Sequence, residues 1–163
     1  MTTPEMIAPD CLIGFSFGAG KNGLPGKSNE MLAMKIVQYV YSRPLPLLLQ
    51  REIFAGLKYQ PGIIAAKVIA ARENRTYLDA REVARQACEV MQQNGWRTCI
   101  IAAHKDHLPR CAAVMKKFGI HVAETLGTGL YDVNSAQWWT TRPFLFKPFN
   151  ALKTIYYKQR GWI

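Results

Sequence analysis

Acid is what this chain has least of. Eleven Asp and Glu stand against 21 Lys and Arg in 163 residues, a formal net charge of +10. Such an excess favours acidic partners: nucleotides, phosphorylated small molecules, nucleic acid or an anionic membrane surface. The basic residues form no long block and no RNA- or DNA-reading motif occurs, which argues against nucleic acid. Histidine is scarce too, with three residues. His104 and His107 stand three apart with Asp106 or His121 as further candidates, but no second ligand pair has metal spacing, so a metal centre is not expected. The four cysteines (Cys11, Cys88, Cys99 and Cys111) form no CxxC pair. Two fall in strand-like runs and two in helical patterns, the mark of reduced, buried thiols.

Long apolar runs are missing as well. None reaches the ~18 residues of a membrane span. Met1 to Asp10 carries Glu5 and Asp10 without a basic residue, unlike a signal peptide. A cytoplasmic location is therefore expected. Linkers, repeats and low-complexity tracts are also lacking, so residues 1–163 are expected to form one domain. The apolar fraction of 49% suffices for a full core.

What is present alternates. Cys11 to Phe17 reads as a buried strand, Gly18 to Lys27 as a loop, and Ser28 as the cap of a helix with Ala33, Ile36, Val37, Val40 and Tyr41 on its apolar face. Leu45 to Leu49 predicts a second strand and Gln50 to Leu57 a short helix. Lys67 to Ala71 suits a strand, although Ile63 to Ala71 is equally compatible with a helix. Thr76-x-x-Asp79 is a capping pattern before a helix bearing Ala80, Val83, Ala84, Ala87, Val90 and Met91 on one face. Arg97 to Ala103 predicts a strand, Leu108 to Phe118 a helix, and Ile120 to Ala123 an edge or final strand. A closing helix is expected near Pro148 to Arg160. Alternating strands and helices imply an α/β, Rossmann-like three-layer sandwich with a mostly parallel sheet.

The strongest constellation is His104, Lys105, His107 and Arg110, where a strand ends and a helix begins. Cations are disfavoured beside a helix N-terminus unless an anion compensates them, so ligand binding explains their presence. His107 suits a general acid or base near neutral pH, and Arg110 a bidentate clamp on carboxylate or phosphate. A basic, solvated helix start is the plainer alternative.

Gly18-Ala19-Gly20-Lys21-Asn22-Gly23 formally matches the dinucleotide pattern GxGxxG. Leu24 to Lys27 intervene before the helix, however, and no acid follows about 20 residues on. Gly26-Lys27-Ser28 imitates the end of a P-loop, but Lys21 stands where a glycine is required. What remains is a glycine loop (Gly18, Gly20 and Gly23) able to approach a ligand through its backbone, or a plain surface loop. Thr76 and Asp79 cap a helix and are candidates for the same rim. At the C-terminus, Trp138, Trp139, Phe144, Phe146, Phe149, Tyr156, Tyr157 and Trp162 interleave with Arg142, Lys147, Lys153, Lys158 and Arg160. That pattern suits a helix packing aromatics on the sheet with snorkelling lysines, or a segment resting on a membrane interface.

Several of these motifs, taken in order, resemble the bacterial YdcF/SanA/ElyC group. His107-Leu108-Pro109-Arg110 is similar to that family's "HMPRA" helix start, and Phe118-Gly119-Ile120 follows at its spacing. Arg75-Thr76-Tyr77-Leu78-Asp79-Ala80 resembles "NTYENA", Phe17-Gly18-Ala19-Gly20 the first-strand "LGxG", and Asn22-Gly23-Leu24-Pro25 the "DGxPS" loop. Departures are Ala103-His104 for Thr-Ser, Ala70 and Glu73 for an upstream Glu and Ser, and Leu49-Gln50-Arg51 for "SGG". The resemblance implies a Rossmann-like fold, with envelope-related roles for some members and nucleotide-like ligands, including S-adenosylmethionine, for others.

The combined expectation is a protein binding a phosphorylated or nucleotide-like small molecule. His107 and Arg110 are the catalytic candidates, and Gly18, Gly20, Gly23, Thr76, Asp79 and His104 the ligand-binding ones. Hydrolysis or group transfer at phosphate is the class of any reaction, although no nucleophile stands out and no cofactor is indicated. The alternative is a non-catalytic interaction module at an anionic membrane surface.

Overall fold

The computed structural model describes residues 8–57, 65–70 and 78–163. Five strands, β1 (Cys11–Gly14), β2 (Leu47–Gln50), β3 (Ala65–Ile69), β4 (Thr98–His104) and β5 (His121–Thr128), form one sheet in the order β3-β2-β1-β4-β5. Every pairing is parallel. Parallel strands need crossovers, which here are α1 (Lys27–Ser42), α2 (Arg51–Gly56), α3 (Ala80–Gln93) and α4 (Leu108–Lys117). A last helix, α5 (Pro143–Gln159), closes the chain. The expected α/β, Rossmann-like three-layer sandwich is the fold.

Side chains alternate across the pleat, so each central strand serves two cores. Cys11 and Ile13 of β1 and Ile101 of β4 pack with Val83, Ala87 and Met91 of α3, Val114 and Met115 of α4, and Tyr157 of α5. Leu12 and Ile100 point the other way, onto Leu32 and Ile36 of α1 and Ile53 of α2. Leu12 and Ile13 are wholly buried, each contributing about 1.5–3 kcal/mol. All four cysteines are buried and free, and burial pushes the Cys11 thiol up to about 12 and that of Cys88 to about 11.

Several boundaries differ from expectation. The first strand stops at Gly14; after Phe15 the backbone turns to side-chain acceptors, Gln50 for Ser16 and Asn29 for Phe17. Ser28 does not cap α1: its hydroxyl donates to the Leu130 carbonyl at 2.9 Å, and Gly26 stands at the cap position. Tyr41 is 90% exposed and lies off the apolar face of α1. Asp79 is itself the cap of α3, accepting from the Glu82 N–H at 2.9 Å, whereas Thr76 lies outside the described residues. The 65–69 segment is the strand, not the helix, of the two readings. The β5 strand runs to Thr128, and α5 begins at Pro143 with Pro148 inside it. No helix among the described residues is long and apolar enough to cross a membrane.

Candidate functional site

The chain leaves β1 in one direction toward β2 and β3, then returns to place β4 on the other side. Helices on opposite faces therefore diverge at the carboxyl ends of the strands, where α/β proteins hold ligands. Past β1 the backbone is pinned residue by residue. The Phe15 N–H donates to the Ala102 carbonyl, Ser16 N–H to Gln50 Oε1 and Phe17 N–H to Asn29 Oδ1, each at 2.8 Å. This fixes one wall of a pocket of about 360 Å³. Gln50 and Glu52 supply a second wall, and Leu78 and Ala80 at the start of α3 a third. His107 and Arg110 line it from the start of α4, and Trp139, Phe146 and Phe149 roof it.

Arg110 is the unusual member. It is 5% exposed, and no carboxylate among the described residues lies within ion-pair distance of it. Its Nη2 donates to His107 Nδ1 at 3.1 Å, its Cζ lies 5.4 Å from the centre of the Tyr157 ring, and its Nε has no partner. A buried cation without a counter-ion costs several kcal/mol on order-of-magnitude grounds. Among the described residues, no acid relieves that cost.

The same contact fixes the state of His107. A guanidinium can only donate, so Nδ1 is the acceptor and the ring proton sits on Nε2. Burial, with Arg110 and His104 adding to it, pushes the imidazole well below its usual value. The role as acid or base near neutral pH is thereby narrowed: the ring is a neutral N–H donor. His107 occupies the cap position of α4 without making a side-chain cap. Guanidinium, imidazole N–H and helix dipole all favour negative charge at one place.

Arg51 and Glu52, at the start of α2, line the pocket as well. Glu52 lines it with Oε2 buried and without a donor. Trp139 stacks on Phe149 with centroids 5.2 Å apart and planes at 25°, giving a flat aromatic roof.

The remaining candidates scatter. Gly18 lines the pocket, with φ +71°, and a Cβ there would fall 2.6 Å from both Ser135 Oγ and Thr140 Oγ1. Gly20 and Gly23 do not line it. The Gly20 N–H donates to the Leu24 carbonyl, and the surroundings of Gly23 are open. Nor does the loop lie free over a ligand. Asn29 holds it from within, donating to the Gly18 and Pro25 carbonyls. Asp132, buried, accepts from the Lys27 N–H at 2.9 Å and from the Asn134 N–H at 2.9 Å. The chain's own carboxylate thus sits at the start of α1, where a dinucleotide fold would seat pyrophosphate. The glycine loop is therefore structural, Gly18 apart.

Asp79 caps α3 between two pocket residues without lining the cavity itself. His104 is corrected as well. It is wholly buried behind Phe17, stacked at 3.9 Å, and does not line the pocket. Its Nδ1 accepts from the Asp106 N–H at 3.2 Å. Burial takes its pKa down to about 4, against the pull of Asp106 and the Gly129 backbone. It belongs to an aromatic cluster with Phe17, Tyr131 and Phe146. Among the described residues, no three His, Cys, Asp or Glu side chains converge as metal ligands would.

Fold and site together define a Rossmann-like α/β protein with one wall of its strand-end pocket cationic and the roof aromatic. No family model, curated protein or solved structure matches the chain.

Proposed function

We propose that this protein binds a phosphorylated, nucleotide-like small molecule in the strand-end pocket, as a divergent relative of the YdcF/SanA/ElyC group. The observation that carries the reading is Arg110, a buried guanidinium without a carboxylate partner among the described residues. Phosphate is the counter-ion it lacks, bound with the Nε2–H of His107 at the start of α4. The Trp139–Phe149 roof suits a planar ring, and Glu52 suits a donor such as an exocyclic amine or ribose hydroxyl. A cavity of about 360 Å³ fits a mononucleotide-sized ligand better than a dinucleotide.

Binding is better supported than turnover. Of the two hydroxyls lining the pocket, Thr140 is engaged with Ser135 and the Gln137 carbonyl, and the Nδ1 by which His107 could take a proton from Ser16 is engaged by Arg110. If the bound ester is hydrolysed or transferred, Arg110 and His107 act on the developing negative charge as donors.

The test is thermal unfolding against a panel of nucleotides, S-adenosylmethionine, sugar phosphates and polyprenyl phosphates. A ligand held only by the folded state stabilises it by about 2.7 kcal/mol at a hundred times its Kd, which for this length is a rise of roughly 5–10 °C. The expected result is a concentration-dependent rise with a phosphorylated aromatic ligand, absent with the dephosphorylated compound. Silence across the panel would overturn the reading.

A further inference from the structure

Helix α5 has two apolar faces where a surface helix needs one. Its inner face carries the buried Phe146 and Tyr157. Its outer face presents Phe144, Pro148, Ala151, Leu152 and Ile155, all exposed, at spacings of four, three, one and three residues. Phe144 is 66%, Leu152 68% and Ile155 52% exposed, and Trp138 just before the helix is 62% exposed. Lys147 and Lys158, both exposed, flank this stripe on one side. From residue 133 to the end at Ile163 there is no acidic residue, while Arg142, Lys147, Lys153, Lys158 and Arg160 all lie there.

We infer that the outer face of α5 docks on an anionic lipid bilayer, with the helix lying in the plane of the surface. The apolar stripe would enter the headgroup boundary while the flanking lysines meet anionic headgroups. Seventeen residues make a helix about 25 Å long. Not long and apolar enough to cross a membrane, it has the composition of an interfacial helix. Charge selects this occupant over a second copy. Antiparallel pairing of two such helices would set Lys147 against Lys158 with no acid in the segment to offset them. The inference rests on this face alone and stands or falls separately from the pocket.

The test is co-sedimentation of the full chain with vesicles of phosphatidylcholine containing 30% phosphatidylglycerol, and of phosphatidylcholine alone. Binding at least tenfold tighter to the anionic vesicles is expected. Leu152→Ser/Ile155→Ser and Lys147→Glu/Lys158→Glu should each weaken it at least tenfold, with the melting temperature unchanged because these side chains are exposed. Three outcomes would overturn the inference. One is no sedimentation with anionic vesicles. Another is undiminished binding by the Leu152→Ser/Ile155→Ser variant, which would reduce the effect to adsorption by net charge. The third is a lipid-free dimer, seen by sedimentation equilibrium, that this variant dissociates.

Discussion

Replacing Arg110 by Met tests whether the guanidinium serves the fold or a ligand. The side chain is 5% exposed, so Met fills much of the same space. Removing the charge abolishes a desolvation cost of several kcal/mol, counted to order of magnitude. Against this stand the hydrogen bond to His107 at 3.1 Å and the stacking over Tyr157 at 5.4 Å. These offset about 1.5–3 kcal/mol and about 2 kcal/mol respectively. His107 Nδ1 then loses its donor, at a cost of about 1 kcal/mol where water reaches through the pocket. These losses come to about 4.5–6 kcal/mol, the same order as the desolvation cost removed, so the net change should stay below about 2 kcal/mol, a shift in melting temperature of no more than roughly 8 °C. Breaking a true buried ion pair would instead cost about 3–5 kcal/mol. Thermal unfolding with and without the best ligand of the panel separates these cases. Wild type should rise with ligand and Arg110→Met should not, so a gap opens between the two as ligand is added. Arg110→Lys, which keeps the charge but not the fork, should retain part of the rise. Loss of more than about 3 kcal/mol in the ligand-free Met variant would refute the argument, because Arg110 would then be structural. A ligand-induced rise that persists in that variant would refute it equally.

Other consequences are simpler to measure. His104 has its pKa lowered to about 4, and His107 is lowered too. The unfolded chain therefore takes up protons below about pH 6.5 that the folded chain refuses. Stability should be full above pH 6.5 and fall toward pH 4. His104 alone accounts for roughly 3 kcal/mol of this, and a denaturant midpoint that stays flat over the range would contradict it. Gly18→Ala should cost about 2–4 kcal/mol, from a left-handed backbone plus the collision with Ser135 and Thr140. Gly23→Ala, with φ +76° but open space, should cost only about 1–2 kcal/mol, and equal losses at the two sites would disprove the packing argument. Asp132→Ala should cost about 1–2 kcal/mol by baring the start of α1. Urea unfolding showing no change would deny the carboxylate that role.

Periodicity made the sheet legible before any coordinates, because strands buried on both faces read as unbroken apolar runs such as Cys99-Ile100-Ile101-Ala102-Ala103. The helix starting near Leu108 was legible for the same reason, and so was the cluster of His107 and Arg110, since cations at a helix N-terminus are conspicuous. His104 was misplaced because sequence adjacency to His107 does not tell which side of the strand end a side chain takes. Gln50 and Glu52 were missed although they follow the second strand, where the strand-end rule for α/β sheets gives a signal. Trp139 and Phe149 were seen as part of an aromatic tail, but nothing local tells that this tail folds back over the pocket. The role of Asp132 at α1 left no signal: beside its local bond from the Asn134 N–H, its partner is the Lys27 N–H far away in the chain, which no side-chain pattern records.

That distance has its own consequence. Lys27 and Asp132 are 105 residues apart, Ser28 and Leu130 102, and Ala19 and Ser135 116. Loops of such length close late, because their entropy must be lost before the contacts form. As the chain emerges during synthesis, α1 begins with an unsatisfied N-terminus and waits for the segment that holds Asp132, 105 residues on from Lys27. The same closing segment continues into Trp139, Phe146 and Phe149, which complete the pocket. Anchoring of the first helix and assembly of the pocket are thus one event. A chain ending soon after β5 could keep its sheet and its Arg110 and still have nothing to close over a ligand.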